Sequence, residues 1–216
     1  MRDIKHILLD LDGTLTDPKE GITKSVQYAL EQMGVEPPHR DDLEWTIGPP
    51  LTYAFEKLLG TKDNRRVQQA IDFYRERYVE RCAIENKPYA GIQNTLQRLK
   101  DDGFELYLAT SKPWPYAGKI LEHFDLQHYF DGIHGSELDG TRDYKEDLIA
   151  YILKQRNLNN EQTLMIGDRQ YDIHGAKHNK VHSIGVTYGY GSLEEIKAAN
   201  PDVICHEHSH IITIVR

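Results

Sequence analysis

The side chains best suited to chemistry stand directly after short apolar runs of the sequence. They are carboxylates, hydroxyls and a lysine: Asp10, Asp12, Thr110, Ser111, Lys112, Asp168 and Asp172. A further lysine, Lys145, opens a segment that is typical of a helix start. Short apolar runs bounded by turns are typical of buried strands, and open parallel sheets bind ligands at the carboxyl ends of their strands. We therefore expect these side chains to meet at one edge of such a sheet.

Taken together, these residues resemble the four motifs of the haloacid dehalogenase superfamily of phosphohydrolases, in the expected order. The motifs are Asp-Leu-Asp-Gly-Thr-Leu at 10–15, Thr-Ser-Lys-Pro at 110–113, Lys145, and Gly-Asp-Arg-x-x-Asp at 167–172. The strings at 135–142 and 185–192 resemble the helical-cap branch that contains phosphoglycolate phosphatases and 5′-nucleotidases. The resemblance implies a parallel-sheet core, an inserted helical cap and hydrolysis of a small phosphate ester.

The charges of the four aspartates agree with a metal-dependent phosphatase. A phosphate monoester carries about two negative charges near neutral pH, and the aspartates would add to them. Two unit charges 4 Å apart repel by roughly 4 kcal/mol at an effective dielectric of 20, so an anionic substrate needs a cation beside it. Because the motifs offer carboxylate oxygens and neither histidine nor cysteine, we expect Mg²⁺ rather than zinc, with Lys145 as a fixed positive charge.

Position and residue type suggest a role for each side chain. Asp10 stands at a strand end beside Gly13, which lets the backbone turn closely around a phosphoryl group, so Asp10 is the predicted nucleophile. Asp12 would protonate the leaving oxygen and then deprotonate the water that hydrolyses the aspartyl phosphate. Thr110 would donate its hydroxyl to a phosphoryl oxygen, and backbone N–H groups near Asp12 and Ser111 would complete the cradle.

The resemblance also implies a metal site. It assigns Mg²⁺ to the carboxylate of Asp10, the backbone carbonyl of Asp12 and the carboxylate of Asp168. Asp172, four residues further on, would lie on the same face of a helical turn and support the metal. Lys145 would bind the substrate phosphoryl group beside it.

The elements that must position these residues alternate between strand and helix after about residue 88. Five apolar runs predict short buried strands: 4–9, 104–110, 132–134, 163–167 and 181–186. Between residues 18 and 87 the apolar spacing is helical, with helices predicted around Ile22, Leu51 and Val67. We predict an α/β, Rossmann-like core with a parallel sheet, formed by residues 1–17 and 88–216, and an inserted helical cap domain at 18–87.

The turn from Thr46 to Leu51, with Gly48 near its centre, resembles the cap loop that faces the site in this branch. Pro50 is compatible with the first turn of a helix, and free N–H groups there could meet an anionic or polar substrate group. We therefore predict that Gly48 contributes to substrate binding and selection. The alternative is a tight turn between two helices.

Two patterns allow other metal sites. Asp-x-Asp-Gly also begins a calcium loop, but the sixth position here would be Leu15, the twelfth would be Gly21, and a strand precedes the motif instead of a helix. His206, His208 and His210 alternate and could share one strand face as ligands, although no cysteine or acidic motif completes such a site.

Two further segments carry no clear catalytic signal. The glycine-rich stretch 185–192 lacks the Gly-Lys-Ser/Thr ending of a nucleotide-binding loop, so we expect a structural loop. Residues 211–215 favour a strand by propensity, whereas the resemblance implies a helix at the end of the chain.

Two other functions would use the same residues. A phosphomutase would pass the phosphoryl group from the same nucleophile to a sugar hydroxyl, provided that closure excludes water. A non-catalytic binding protein would keep the fold without turnover. Release of inorganic phosphate from many esters would favour hydrolysis, and dependence on a bisphosphate activator would favour the mutase.

Composition limits the classes of partner. The chain has 216 residues, with 26 basic and 34 acidic side chains and a formal charge of −8. This acidity argues against a nucleic-acid partner, and no apolar run approaches the ~18 residues of a membrane span. Cys82 and Cys205 form neither a C-x-x-C pair nor a disulfide framework, which favours a cytoplasmic location. The expected partner is a small phosphate ester, and the sequence carries no signature of oligomeric state.

Overall fold

The computed structural model describes residues 3–216, which form a sheet flanked by helices. The strands are β1 (His6–Leu9), β2 (Thr16–Asp17), β3 (Lys87–Pro88), β4 (Glu105–Pro113), β5 (Gly132–Ser136), β6 (Thr163–Gly167), β7 (His182–Val186) and β8 (Val203–Cys205). The helices are α1 (Lys19–Gln32), α2 (Leu51–Leu59), α3 (Asn64–Arg81), α4 (Ile92–Asp101), α5 (Trp114–His123), α6 (Lys145–Arg156), α7 (Gln170–His178), α8 (Leu193–Ala199) and α9 (Ile211–Val215).

Six of the strands form one sheet in the spatial order β5, β4, β1, β6, β7, β8. Every neighbouring pair in this sheet is parallel. The carboxyl ends of β1, β4 and β6 therefore lie side by side, and the residues that follow them are brought to one edge. The predicted α/β class with a parallel sheet is confirmed.

Side chains of the central strand alternate between two apolar layers. Ile7 and Leu9 of β1 belong to one buried cluster, and Leu8 belongs to another. The first layer includes apolar residues of α4, α5 and α9, and the second includes those of α6 together with Met165 of β6. Because helices cover both faces, the central strands β1, β4 and β6 are largely apolar, and the polar residues of the predicted site follow at or beyond their carboxyl ends.

A helical segment lies between β2 and β3, which pair with each other antiparallel. It contains α1, a 3₁₀ turn at Arg40–Thr46, α2 and α3. The helix predicted around Leu51 is α2, and it ends at Gly60, whose φ of 60° is left-handed. The prediction of an inserted helical segment is confirmed, while its division from the core at residues 17/18 and 87/88 stays a prediction.

Two predictions about elements need correction or completion, and some elements were not predicted. β4 was expected to end near residue 110 but continues to Pro113, with a register shift against β5 between Thr110 and Pro113. The chain end is a helix, α9, because Ile211 and Val215 share a face that is buried near α4. β2, β3, β8 and α8 were not predicted. No helix within residues 3–216 is both long enough and apolar enough to cross a bilayer.

Candidate active site

A tight turn after β1 brings Asp10 next to the residues that follow β6. The Asp10 N–H donates to the Ile166 carbonyl at 3.0 Å, which continues the parallel ladder one residue beyond β1. Gly13 has a φ of +80°, and a Cβ there would lie 2.1 Å from Asp168 Oδ2. Glycine is therefore required at position 13, because the Asp168 carboxylate packs directly against its backbone.

Asp10, Asp168 and Asp172 form a buried carboxylate cluster. One oxygen from each lies within 4.8 Å of the other two. Asp168 Oδ2 accepts the Tyr190 N–H at 2.7 Å, and Asp172 Oδ2 accepts the Arg169 N–H at 3.1 Å, so these two carboxylates are fixed by backbone groups. A hard, all-carboxylate donor set of this kind fits Mg²⁺.

Burial makes this cluster costly without a cation. It raises the pKa of Asp168 well above its ordinary value, and the charges of Asp10 and Asp172 raise it further. Burial also raises the pKa of Asp172 to about 6, although Lys145 opposes the shift. The site is therefore arranged to hold positive charge.

Lys145, the first residue of α6, supplies part of that charge. Its Nζ lies 2.9 Å from Asp10 Oδ1 and 2.5 Å from Asp172 Oδ1. It also donates to the Ala109 carbonyl at 2.7 Å. The ammonium group thus has one hydrogen bond to a backbone carbonyl and ion pairs with two carboxylates, which hold it beside the cluster.

Thr110, Ser111 and Lys112 lie at the carboxyl end of β4, which is next to β1 in the sheet. The Lys112 N–H donates to Thr110 Oγ1 at 3.2 Å, which leaves the hydroxyl proton of Thr110 available to a phosphoryl oxygen. Ser136 donates its hydroxyl to the Ser111 carbonyl at 2.8 Å and fixes the segment from the side of β5.

The side chain of Asp12 lies apart from the carboxylate cluster. Its Oδ2 is 2.8 Å from Lys112 Nζ, and both side chains are almost fully buried. Burial raises the pKa of Asp12, and the Lys112 charge works in the opposite direction. The sequence motif contained Lys112, but no spacing rule indicated that it would pair with Asp12 across the sheet.

A cavity of about 430 Å³ opens above these groups, between the sheet edge and the helical segment. Asp10, Asp12, Thr110 and Ser111 line it from the sheet, and Gly48 lines it from the opposite side. The predicted site residues Lys145, Asp168 and Asp172 are buried beneath it. The structure therefore brings all of the predicted residues to one region, although it does not test their roles.

Arg75 of α3 also lines the cavity, although it was not among the predicted site residues. Its Nε is buried and has no hydrogen-bond partner within residues 3–216. Its positive charge works against the burial that raises the pKa values of Asp143 and Tyr116, which also line the cavity, but Arg75 forms no ion pair with Asp143. Arg75 is thus a guanidinium group held at the cavity without a salt bridge from the described chain.

The glycine-rich loop after β7 supports the cluster and does not resemble a nucleotide-binding loop. A Cβ at Gly189 would lie 2.3 Å from the Gly13 carbonyl, and one at Gly191 would lie 1.9 Å from the Asp168 carbonyl. These glycines let the loop approach closely enough for Tyr190 to donate to Asp168. The loop is therefore structural, as expected, and it fixes the position of Asp168, a candidate metal ligand.

The three alternating histidines are engaged separately. His206 contacts the Thr187 hydroxyl at 2.7 Å, and His208 contacts the Thr95 hydroxyl at 2.8 Å. His210 lies 3.8 Å from Glu207. These three side chains do not form a ligand group among the described residues.

The parallel sheet, the buried aspartates at its edge and the lysine beneath them define a hydrolase of the haloacid dehalogenase type. The chain belongs to that family: the model described as haloacid dehalogenase-like hydrolase matches residues 7–186. The family predicted from the four motifs is confirmed.

Several individual proteins and solved structures are similar to this chain over most of its length. The chain is 48% identical over 200 residues to a 5′-nucleotidase of Pseudomonas aeruginosa, covering 93% of this chain and 90% of that protein. It is 35% identical over 200 residues to a protein of Mycobacterium tuberculosis named tyrosine-protein kinase PtkA, covering 93% and 68%. The crystal structure of a predicted phosphatase from Clostridium acetobutylicum superposes with a TM-score of 0.94 at 44% identity, covering 98% and 97%. Relatives at 28% and 31% identity are named phosphoglycolate phosphatases, as the sequence resemblance predicted.

Proposed function

We propose that the protein is a Mg²⁺-dependent phosphomonoester hydrolase that acts on a small phosphate ester, of the 5′-nucleotide or phosphoglycolate type, through an aspartyl-phosphate intermediate. The observation that carries the proposal is the buried cluster of Asp10, Asp168 and Asp172 around Lys145, beneath a cavity lined by Asp12 and Thr110. The buried free thiols of the two cysteines support the cytoplasmic location that we propose with it.

The residues present fit a magnesium ion. The carboxylates of Asp10 and Asp168 and the backbone carbonyl of Asp12 would hold it, and Asp172 would support it together with Lys145. The ion would supply positive charge next to the phosphoryl oxygens. The need for such charge follows from the three buried carboxylates, which Lys145 only partly neutralises.

The chain's own residues would then divide the chemistry. Asp10 attacks phosphorus and becomes the acyl phosphate, while Asp12 protonates the departing alcohol oxygen. Asp12 next removes a proton from the water that hydrolyses the intermediate. Thr110 and the N–H of Ser111 donate to the phosphoryl oxygens, and Lys145 stabilises their negative charge.

The helical segment 18–87 is proposed to act as a cap over this site. It supplies Gly48 and Arg75 to the cavity wall opposite the aspartates. A cavity of about 430 Å³ is of the size that holds a whole small ligand, and a glycolate group alone would leave much of it empty. This volume favours a nucleoside 5′-monophosphate within the proposed substrate class.

The test measures inorganic phosphate released from nucleoside 5′-monophosphates, phosphoglycolate, sugar phosphates and p-nitrophenyl phosphate, with and without Mg²⁺. We expect Mg²⁺-dependent release that chelator abolishes, and a phosphorylated Asp10 in acid-quenched enzyme. Activity only with a bisphosphate activator, or transfer of the phosphoryl group to a sugar or a tyrosine without phosphate release, would contradict the proposal.

A further inference from the structure

Lys112 and Asp12 form a buried ion pair next to the cavity. Lys112 Nζ lies 2.8 Å from Asp12 Oδ2, and the side chains are 5% and 10% exposed. Lys112 Nζ also donates to the Tyr78 hydroxyl and lies 4.6 Å from the centre of the Tyr78 ring. Tyr78 belongs to α3, so one ammonium group joins the helical segment to the residue proposed as general acid and base.

The backbone around Lys112 is fixed from several sides. β4 shifts its register between Thr110 and Pro113, and the chain passes directly over Gly135 of β5. A Cβ at position 135 would lie 2.4 Å from the Lys112 carbonyl, so only glycine leaves room for this path. Together with the hydrogen bond from Ser136 to the Ser111 carbonyl, this arrangement holds the Lys112 side chain toward Asp12.

The ion pair leaves the two oxygens of Asp12 unequal. Oδ2 faces Lys112, whereas Oδ1 is buried and accepts no hydrogen bond from residues 3–216. Asp12 lines the cavity, and Oδ1 is the oxygen of its carboxylate that no group of the described residues occupies. A carboxyl group that must give a proton to one atom and later take one from water needs a fixed orientation.

We infer that Lys112 is a positioning residue, which holds Asp12 so that its free oxygen reaches the leaving oxygen of the ester, and that Tyr78 of α3 holds Lys112 in turn. The inference rests on the proposed function. This arrangement allows the enzyme to hydrolyse esters of aliphatic alcohols, including nucleosides. Such an alcohol leaves only when its oxygen receives a proton. An aryl ester such as p-nitrophenyl phosphate has a leaving group that departs without a proton and depends on this arrangement far less.

The test compares kcat/KM for a nucleoside 5′-monophosphate and for p-nitrophenyl phosphate in Lys112→Met, which keeps most of the unbranched apolar side chain and removes its charge. A general acid typically contributes ~10²–10⁴-fold. We expect kcat/KM for the nucleotide to fall by about 100-fold or more, and that for p-nitrophenyl phosphate to fall at least about 10-fold less. Lys154→Met, an exposed lysine on α6, is the matched control and should leave the ratio unchanged.

Tyr78→Phe provides a second test, because it removes only the hydroxyl that contacts Lys112. It should shift the ratio in the same direction by a smaller factor, and it decides the question if Lys112→Met does not fold. Equal losses for both substrates in a folded variant would overturn the inference, since a purely structural role damages both reactions alike. If the wild-type enzyme releases no phosphate from any ester, the proposed function itself has failed.

Discussion

Charge balance at the level of single residues explains why this site calls for a divalent cation. The three clustered carboxylates carry a charge of −3 when ionised, and Lys145 contributes +1, which leaves −2. Asp12 does not add to this total because Lys112 neutralises it nearby. A bound Mg²⁺ would bring the cluster to neutrality, and the substrate dianion would then be met by hydrogen-bond donors and not by bare carboxylates.

Asp10→Asn tests the nucleophile. The amide keeps the shape of the side chain but is a poor nucleophile toward phosphorus, so we expect less than a thousandth of wild-type phosphate release and no acid-stable phosphoenzyme. Asp125→Asn, on the surface far from the cavity, is the control and should keep full activity. A purified Asp10→Asn protein with a tenth of wild-type turnover would exclude Asp10 as the nucleophile.

Asp168→Ala tests the metal site. Removal of one carboxylate from the cluster should weaken Mg²⁺ binding by at least about 10-fold, seen as a higher Mg²⁺ concentration for half-maximal activity and in a calorimetric titration. Ca²⁺ should support little turnover in the wild type because its looser coordination misplaces the nucleophile. An unchanged Mg²⁺ titration in this variant would remove Asp168 from the ligands.

At the level of elements, helices and strands were predicted where apolar residues recur at a regular spacing. They were missed where contacts between segments distant in the sequence determine the structure. α2 follows from apolar spacing and a terminal glycine, whereas β8 has three residues and is too short to show a period. The continuation of β4 to Pro113 depends on the space left by Gly135, a contact that the sequence of β4 cannot reveal. The pairing of Lys112 with Asp12 follows from that continuation and was missed for the same reason.

The loop around Gly48 shows how the cap segment meets the core. Arg169, next to Asp168, donates through Nη1 to the Ile47 carbonyl and is itself held by Glu195 at 2.9 Å. Gly48 has a φ of +104°, and a Cβ there would lie 3.1 Å from Arg169 Cγ. A bulky residue at position 48 would thus strain the loop and displace Arg169 at the same time, so the predicted role of Gly48 in selection needs a cleaner probe.

Arg75→Met tests substrate selection by α3, a different part of the cavity wall, and does not strain the Gly48 loop. Arg75 lines the cavity with a buried Nε that lacks a hydrogen-bond partner in the described chain, so a polar group of the substrate alcohol is expected to meet it. Hydrogen bonds to a charged group contribute about 1.5–3 kcal/mol, so kcat/KM for the preferred nucleotide should fall by about 10- to 100-fold. p-Nitrophenyl phosphate, which lacks that group, should be affected less. The same loss for both substrates would place the selector elsewhere in the cap segment.

At the level of the whole molecule, the four motifs predicted which edge of the sheet carries the candidate active site, because a parallel sheet places the carboxyl ends of its strands together. Asp10, Thr110 and Asp168 are far apart in sequence, yet β1 pairs with both β4 and β6. Of the wall opposite that edge, only the loop around Gly48 was expected at the site; the position of Arg75 depends on how the helical segment packs over the core, which the motifs could not predict. Substrate choice is therefore the property least accessible from the sequence.

Stability of the whole molecule should depend on Mg²⁺ and pH together. The pKa of Asp172 is raised from 3.8 to about 6 in the folded chain, and that of Asp168 is raised as well, so the metal-free folded state binds more protons than the unfolded state in this range. Stability of the metal-free protein should consequently fall as pH rises through about 6, where Asp172 loses its proton, and the raised pKa of Asp168 acts in the same direction.

Mg²⁺ should reverse that loss at neutral pH, because it binds the ionised carboxylates and competes with protons below pH 6. At a Mg²⁺ concentration of about 100 times Kd the stabilisation is ~2.7 kcal/mol, or a Tm increase of roughly 5–10 °C for a chain of this size. Calorimetry at pH 7.5 should find this increase, and at pH 5.0 the same Mg²⁺ concentration should give a much smaller one. Asp168→Asn should lose most of the increase at pH 7.5, whereas Asp125→Asn should retain it. An equal Tm increase at both pH values would mean that Mg²⁺ stabilises the protein at a site other than the buried aspartates.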